Sequence, residues 1–368
     1  MAMNEREQVF QIVCVVRDLD ETLGNWKKYV TFNEASIKLS STEDAPIPCL
    51  YKGREVPLRI RQARFDLGGI DMKLVQPLNE SGDPYSDILK ERGQGFHHIG
   101  ICVEDPKKID KVCAEWGIGP MCAQTAHGVT YKTYDLRESA GPVIEPWDHM
   151  IGPRGPEGAV KWTEEAVKES EGSTGTKLNL DVFMQVCMAV RDIDKALACW
   201  KELFDVDEES IHFSNSLEAF ETGDLTPMSY YGVEGRYGYR QLNFDCCGIN
   251  IEMFQPLDIN EKGNPVSDFL REEGPGFHHI SLRLNNRQEG LNFLKNDLGE
   301  KLGFKCMWEG LCFNRHYCYW DLRDVFGITL EVASRVAGPM SLKTPEELTA
   351  WGVRDTDVKK IQKWGGWE

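Results

Sequence analysis

The 368-residue chain has twelve cysteines and no C-x-x-C spacing among them, so the paired thiols that a cysteine zinc site needs are absent. It has no apolar run near the ~20 residues of a membrane span. It has no excess of positive charge: 42 Lys and Arg stand against 59 Asp and Glu, a formal net charge of −17. That balance argues against nucleic acid and anionic membrane surfaces as partners. Residues 1–8 are polar and lack a signal-peptide core. Most cysteines sit inside apolar stretches such as Ile12-Val13-Cys14-Val15-Val16, which reads as reduced, buried thiols and a cytoplasmic protein. Histidine is scarce as well, at eight residues.

Four of those eight fall in one stretch that occurs twice, Gly95-Phe96-His97-His98-Ile99 and Gly276-Phe277-His278-His279-Ile280. Three other stretches repeat around it in the same order. Gln11-Ile12-Val13-Cys14-Val15-Val16-Arg17-Asp18 matches Gln185-Val186-Cys187-Met188-Ala189-Val190-Arg191-Asp192. Gly69-Ile70-Asp71-Met72-Lys73 matches Gly248-Ile249-Asn250-Ile251-Glu252, each leading to Gln-Pro-Leu. Asp135-Leu136-Arg137 with Glu145 matches Asp321-Leu322-Arg323 with Glu331. The spacing between counterparts grows slowly along the chain, as expected for a duplicated unit with small loop insertions.

Each half also reads as two smaller units. A β-rich run ends in Arg-Asp and leads into an amphipathic stretch, residues 21–29 and 195–204, with Asp18 or Asp20 and Asp192 or Asp194 as N-caps. The double-His strands open similar units, with helices over 107–116 and 288–297. The chain is therefore expected to be α+β, four βαβββ modules paired into two similar domains. The boundaries are 1–150, a Gly/Pro/Ser/Glu-rich linker at 151–180 with a helical piece over 160–169, then 181–335 and a tail at 336–368. Trp351, Trp364 and Trp367 would pack the tail on the body.

Neighbouring strand residues point to opposite faces, so one His of each pair can enter an interior while the other stays outside. In the second half Gln185, Glu252, His279 and Glu331 each sit in a short, largely apolar run. Two carboxylates in one apolar cavity need a cation to stay ionised. With an amide oxygen and an imidazole they make a plausible divalent-metal set. The alternative is four scattered, outward-facing polar residues. The corresponding first-half residues are Gln11, Lys73, His98 and Glu145. Arg54, Arg59, Arg61 and Arg64 in the first half, and Arg236 and Arg240 in the second, are candidate anchors for a substrate carboxylate or phosphate, or else a solvated strand face. Tyr230, Tyr231, Tyr237 and Tyr239 line a cavity mouth or serve as strand formers. His127, Arg315 and His316 read as loop residues.

These repeats and motifs resemble the vicinal oxygen chelate superfamily, which includes glyoxalase I, methylmalonyl-CoA epimerase, extradiol dioxygenases and bleomycin-resistance proteins. The resemblance covers residues 8–149 and 182–335. It implies glyoxalase-like domains in which Gln185, Glu252, His279 and Glu331 hold a divalent ion (zinc, nickel, cobalt, manganese or iron), while His278 faces away. The motifs around Gln76-Pro77-Leu78 and the double His look like the epimerase; the ligand types look like glyoxalase I. Lys73 in place of a ligand implies a degenerate first-half site kept for packing, or a metal-free site using Lys73 as acid/base or anion anchor. The implied activity is that of a metal-dependent isomerase or lyase, removing a proton next to a carbonyl with Glu331 or Glu252 as base. Its substrate would be a small carbonyl compound or thioester. Arg240 and Arg236 would assist binding. The alternatives are a ligand-sequestering protein of the bleomycin-resistance type and a ring-cleaving dioxygenase. The tandem chain is expected as a monomer or a homodimer.

Overall fold

The structure, a computed structural model, describes residues 7–126, 128–149, 177–284, 287–304, 306–312 and 315–334. His127, the helical piece expected over 160–169 and the tail with Trp351, Trp364 and Trp367 lie outside the described residues, as do the side chains of Arg315 and His316.

The first half runs β1 (Gln8–Val15), α1 (Leu19–Tyr29), β2 (Val30–Thr31), β3 (Lys38–Ser41), β4 (Ile47–Tyr51), β5 (Arg54–Leu58), β6 (Ile60–Leu67) and β7 (Ile70–Pro77). It continues with α2 (Pro84–Arg92), β8 (Gly95–Cys102), α3 (Pro106–Glu115), β9 (Cys122–Ala126), β10 (Val129–Asp135) and β11 (Val143–Trp147). The second half opens with β12 (Leu178–Ala189), α4 (Ile193–Leu203), β13 (His212–Asn215), α5 (Ser216–Thr222), β14 (Met228–Tyr230), β15 (Val233–Gly235), β16 (Tyr239–Cys246) and β17 (Ile249–Pro256). It closes with α6 (Pro265–Glu272), β18 (Gly276–Leu284), α7 (Arg287–Asn292), β19 (Cys306–Cys312), β20 (Arg315–Leu322), α8 (Arg323–Phe326) and β21 (Ile328–Ser334). β12 begins at Leu178, inside the stretch expected to be linker.

The local code is carried by caps. Asp18 and Asp192, rather than Asp20 and Asp194, cap α1 and α4, accepting from the backbone N–H of Glu21 at 2.9 Å and of Lys195 at 3.0 Å. Asp83 makes a capping box with Ser86 ahead of Pro84 at the start of α2.

Each half is one curled sheet, ordered β3-β6-β7-β1-β8-β11-β10-β9-β4-β5 and β13-β16-β17-β12-β18-β21-β20-β19-β14-β15. The first strands of the two modules, β1 and β8 or β12 and β18, pair antiparallel at the centre. The β4–β5 hairpin follows β3 in the chain yet pairs with β9 at the far end of the sheet. The chain thus crosses from one edge to the other, which bends each sheet toward closure around a concave face. These are the two paired glyoxalase-like α+β domains expected from the repeat.

The halves clasp one another through equivalent contacts. Trp26 on α1 donates its indole N–H to Phe326 O at 3.0 Å, and Trp200 on α4 donates to Ala140 O at 2.8 Å. The backbone N–H of Val9 donates to Cys247 O at 2.8 Å and that of Phe183 to Gly68 O at 2.9 Å. Gly327 (φ 75°) and Gly141 (φ 103°) sit beneath these contacts. A Cβ on Gly327 would stand 3.0 Å from Val16 Cγ1, and one on Gly141 3.0 Å from Met188 Sδ. Both the left-handed backbone and the close approach therefore call for glycine. One apolar core, including Trp26, Trp200 and Phe326, runs through both halves.

Trp200 is fully buried and its indole N–H is satisfied only through the other half. Trp200→Ala is expected to cost about 3–5 kcal/mol, cavity and lost bond included. Urea unfolding of the full chain measures this; a loss under about 1 kcal/mol would mean the halves are held together elsewhere.

Candidate metal centre in the second half

Four adjacent strands, β17, β12, β18 and β21, bring one polar or sulfur side chain each to the concave face of the second sheet. In register, Cys187 lies beside Glu252 on one side and His279 on the other. Glu331 lies beside Ser281, two residues along from His279. All are buried, with Glu252 at 5%, His279 at 0% and Glu331 at 6% exposure. His279 Nε2 is 3.3 Å from Glu252 Oε2 and 3.6 Å from Glu331 Oε2. Glu252 Oε2 and His279 Nε2 are buried and make no hydrogen bond. Such atoms carry a desolvation penalty that a cation between them would remove.

Gln185 shares this face, two residues from Cys187, but its amide nitrogen is turned to Asn250 Oδ1 at 2.6 Å and Asn243 Oδ1 at 3.1 Å. Glu252 and Glu331 both approach His279, and Gln185, held through its amide nitrogen, keeps Oε1 as its potential donor atom. Gln241 braces Glu252, donating to Oε1 at 2.5 Å.

The double His departs from simple strand alternation. His279 is opposite Cys187 while Phe277 is opposite Met188, so His278 has no partner on β12 and forms a β-bulge. His97 occupies the same place in the first half, between His98 opposite Val13 and Phe96 opposite Cys14. The bulge turns both rings inward, and all four histidines are buried. The expectation that His278 faces away is corrected by this: its ring contacts Phe254 and Tyr319, as that of His279 does. The two Nδ1 atoms are 2.9 Å apart in the second half and 2.7 Å in the first. One Nδ1 must donate to the other, so at most one ring of each pair carries its proton there. Burial, then the neighbouring ring, hold His278 and His97 well below the usual imidazole range. Burial pushes His279 the same way, but Glu252 and Glu331 outweigh it and leave His279 raised.

A second donor set overlaps the first. Ligand atoms of Cys187, His278 and His279 lie within 4.8 Å of one another. Burial, followed by Glu252 and Glu331, drives the Cys187 thiol well above its usual range, and the thiolate is the ligating form. Cys187 is thus held in the thiol form, which does not ligate. Cys187 was not among the sequence candidates, although it sits on the same strand face as Gln185. An aromatic wall surrounds the donors: Tyr319 packs 4.5 Å from His279, and Trp308 stacks on Tyr319 at 4.9 Å.

The first half repeats the frame with different chemistry. Lys73 lies beside Val13, the place Glu252 takes beside Cys187. Gln11 donates to Asp71 at 2.5 Å, and Asp71 also holds Arg64 at 2.7 Å. His98 Nε2 is 3.7 Å from Glu145 Oε2, to which Trp147 donates at 2.8 Å. Burial lowers the Lys73 pKa against the pull of Glu145. Burial would raise Glu145, yet His98, Lys73 and Trp147 together hold it below the usual carboxylate range. Val13, Val75, Tyr85 and Ile88 belong to an apolar cluster in this half.

Of the candidate arginines, Arg61 holds Asp20 at 2.9 Å, and Arg54 and Arg59 are exposed. Arg240 holds Asp194 at 2.7 Å on the face opposite to Gln241, and Arg236 lies 5.6 Å over the Phe220 ring. Tyr237 and Tyr239 are buried in the second-half cluster, whereas Tyr231 is 50% exposed. No helix among the described residues is long and apolar enough to cross a membrane.

The fold and this buried set define a class: tandem α+β domains with metal-type donors on the concave face of a curled sheet. Residues 184–311 match the glyoxalase/bleomycin resistance protein/dioxygenase superfamily. The match falls within the second half, and the first half repeats that half's strand order. No curated protein matches the chain. Among solved structures, a triple mutant of 4-hydroxymandelate synthase from Streptomyces coelicolor is 12% identical, covering 90% of this chain and 94% of that one at TM-score 0.48. Methylmalonyl-CoA epimerase from Mycobacterium tuberculosis is 17% identical, covering 44% of this chain and 91% of that one at TM-score 0.29.

Proposed function

We propose that the second half is the active domain of a divalent-metal isomerase or lyase that moves a proton at a carbon next to a carbonyl. The observation that carries this is the buried meeting of Glu252, His279 and Glu331, with 3.3 and 3.6 Å between the imidazole nitrogen and the two carboxylates. Two carboxylate oxygens and one imidazole suit a divalent ion such as zinc, nickel, cobalt, manganese or iron. When bound, such an ion supplies Lewis acidity toward a carbonyl oxygen. Glu252, braced by Gln241, fits the holding role. His279 is oriented through Nδ1 by His278. Glu331, across the imidazole on the last strand, is the proton-moving base, with Glu252 as second choice. Tyr319, Trp308 and Phe254 keep water from the donors. The substrate would be a small carbonyl compound or a thioester.

A ring-cleaving dioxygenase centre fits less well. It needs two imidazoles and one carboxylate, whereas two carboxylates approach one imidazole here. A purely ligand-sequestering domain would have no use for buried carboxylates around an imidazole.

Elemental analysis of the full-length protein, purified without chelator, tests the reading. About one divalent ion per chain is expected, lost in His279→Ala. Solvent deuterium should also enter the carbon next to the carbonyl of a 2-substituted malonyl thioester or of a 2-oxoaldehyde hemithioacetal. Metal content near zero, with no uptake on dialysis against zinc, nickel, cobalt or manganese, would overturn it.

A further inference from the structure

A partly open cavity lies where the two halves meet, lined by residues of both. The double-His strands reach it as counterparts, with the rings of Phe96 and Phe277 5.8 Å apart. Arg137 and Arg323, the arginines of the two Asp-Leu-Arg repeats, line it together. Each is held by the aspartate two residues earlier: Arg137 Nε donates to Asp135 at 2.7 Å, and Arg323 Nε to Asp321 at 2.9 Å. Each also lies over a glycine of the opposite half. Arg323 Cδ is 3.3 Å from where a Cβ on Gly95 would be, and Arg137 Cδ is 3.6 Å from that of Gly276.

The symmetry fails at one position. Glu273, just before Gly274, accepts from Arg323 Nη1 at 2.9 Å. Its counterpart just before Gly93 is Arg92. Where Arg323 meets a carboxylate, Arg137 meets a second cation. Among the described residues the Arg92 guanidinium has no hydrogen bond or ion pair. Its Nη1 and Nη2 reach across to 3.4 Å from the Cβ positions of Gly276 and Gly274. Burial and the charge of Arg137 press its pKa below the ordinary guanidinium value; the carboxylates that pull the other way are Glu273 and Asp135, already bound to Arg323 and Arg137, and the exposed Glu91.

We propose that this cavity is an anion site, in which a small oxyanion, a carboxylate or phosphate group, bridges Arg92 and Arg137 and takes the place of the missing acid. Arg92 offers its guanidinium, and Arg137, whose Nε and Nη2 are held by Asp135, offers its Nη1 edge, the edge that Arg323 gives to Glu273. The site is distinct from the donor set. It lies behind it, with His278 lining the cavity while its Nδ1 contacts that of His279. The proposal stands whether or not the second half is a metal enzyme.

Isothermal titration of the full chain, stripped of metal with a chelator, should find one saturable site for inorganic phosphate or for succinate. Preference for either probe by tenfold or more would assign the anion's geometry, and either preference supports the site. Arg92→Gln should weaken binding at least tenfold. Arg92→Glu supplies a second carboxylate beside Arg137, as Glu273 does for Arg323, so it should abolish binding and melt higher than Arg92→Gln in anion-free buffer. Glu273→Gln should not weaken binding. Arg137→Gln gives an independent reading should the Arg92 variants not fold, with the same tenfold loss expected. Absence of saturable binding to the native chain, or unchanged affinity in the Arg92 or Arg137 variants, would overturn the proposal.

Discussion

Glu331→Gln should slow proton exchange next to the substrate carbonyl by about 10²–10⁴-fold, with little change in melting temperature. The substitution keeps shape and volume on a strand where Glu331 is only 6% exposed, so packing is retained. An amide oxygen can still face a cation, but an amide cannot take a proton at neutral pH. Metal content should therefore fall far less than turnover does. Glu252→Gln makes the informative contrast. Glu252 Oε1 already accepts from Gln241 at 2.5 Å, so an amide there can set two N–H groups against each other. That variant should lose metal and activity together. Deuterium uptake measured beside elemental analysis separates the two. Near-normal exchange in Glu331→Gln would move the base role to Glu252.

The frame of this site was readable from the repeat because the repeat is a register statement. Gln185 beside Asn250 and Cys187 beside Glu252 are the pairs that the two matched stretches align, and Gln11 beside Asp71 and Val13 beside Lys73 are their counterparts. What could not be read has a common cause: it depends on which strand lies next to which. The bulges at His97 and His278 exist only in the pairing with β1 and β12, so alternation alone sends one ring outside. Gln185 reads as a ligand by type, but the partners of its amide nitrogen, Asn243 on β16 and Asn250 on β17, come from strands the sequence does not place beside it. Cys187 read as one more apolar position until Glu252 and His279 appeared on either side of it. The indole bonds of Trp26 and Trp200 join residues from opposite halves, beyond the reach of any local pattern. Arg92 against Glu273 was visible as a one-residue difference between repeats, but it acquired meaning only in the cavity where Arg137 and Arg323 meet.

The difference between the halves leads to the second large effect: Lys73→Glu should raise divalent-metal binding from about one ion per chain toward two. Lys73 takes the register position of Glu252, and around it stand His98 and Glu145, the counterparts of His279 and Glu331. His98 Nε2 is buried and makes no hydrogen bond, as His279 Nε2 does in the other half. Replacing an ammonium by a carboxylate changes the local charge by about two units at neutral pH. At ~4 Å and an effective dielectric near ~20, each unit-charge pair is worth about 4 kcal/mol. A divalent ion that Lys73 repels would thus gain far more than a thousandfold in affinity on charge alone. Two features resist it. Trp147 donates to Glu145 Oε2 at 2.8 Å, and Val13 stands where the second half has Cys187. Neither removes a carboxylate or the imidazole, so the second ion should bind more weakly than the first rather than fail to bind. Equilibrium dialysis with zinc or cobalt, read by elemental analysis, counts the ions; His98→Ala on the Lys73→Glu background should return the count to one. If the native chain already takes up two ions, Lys73 does not exclude metal. If the variant stays at one while folding normally, charge at that position is not what separates the halves.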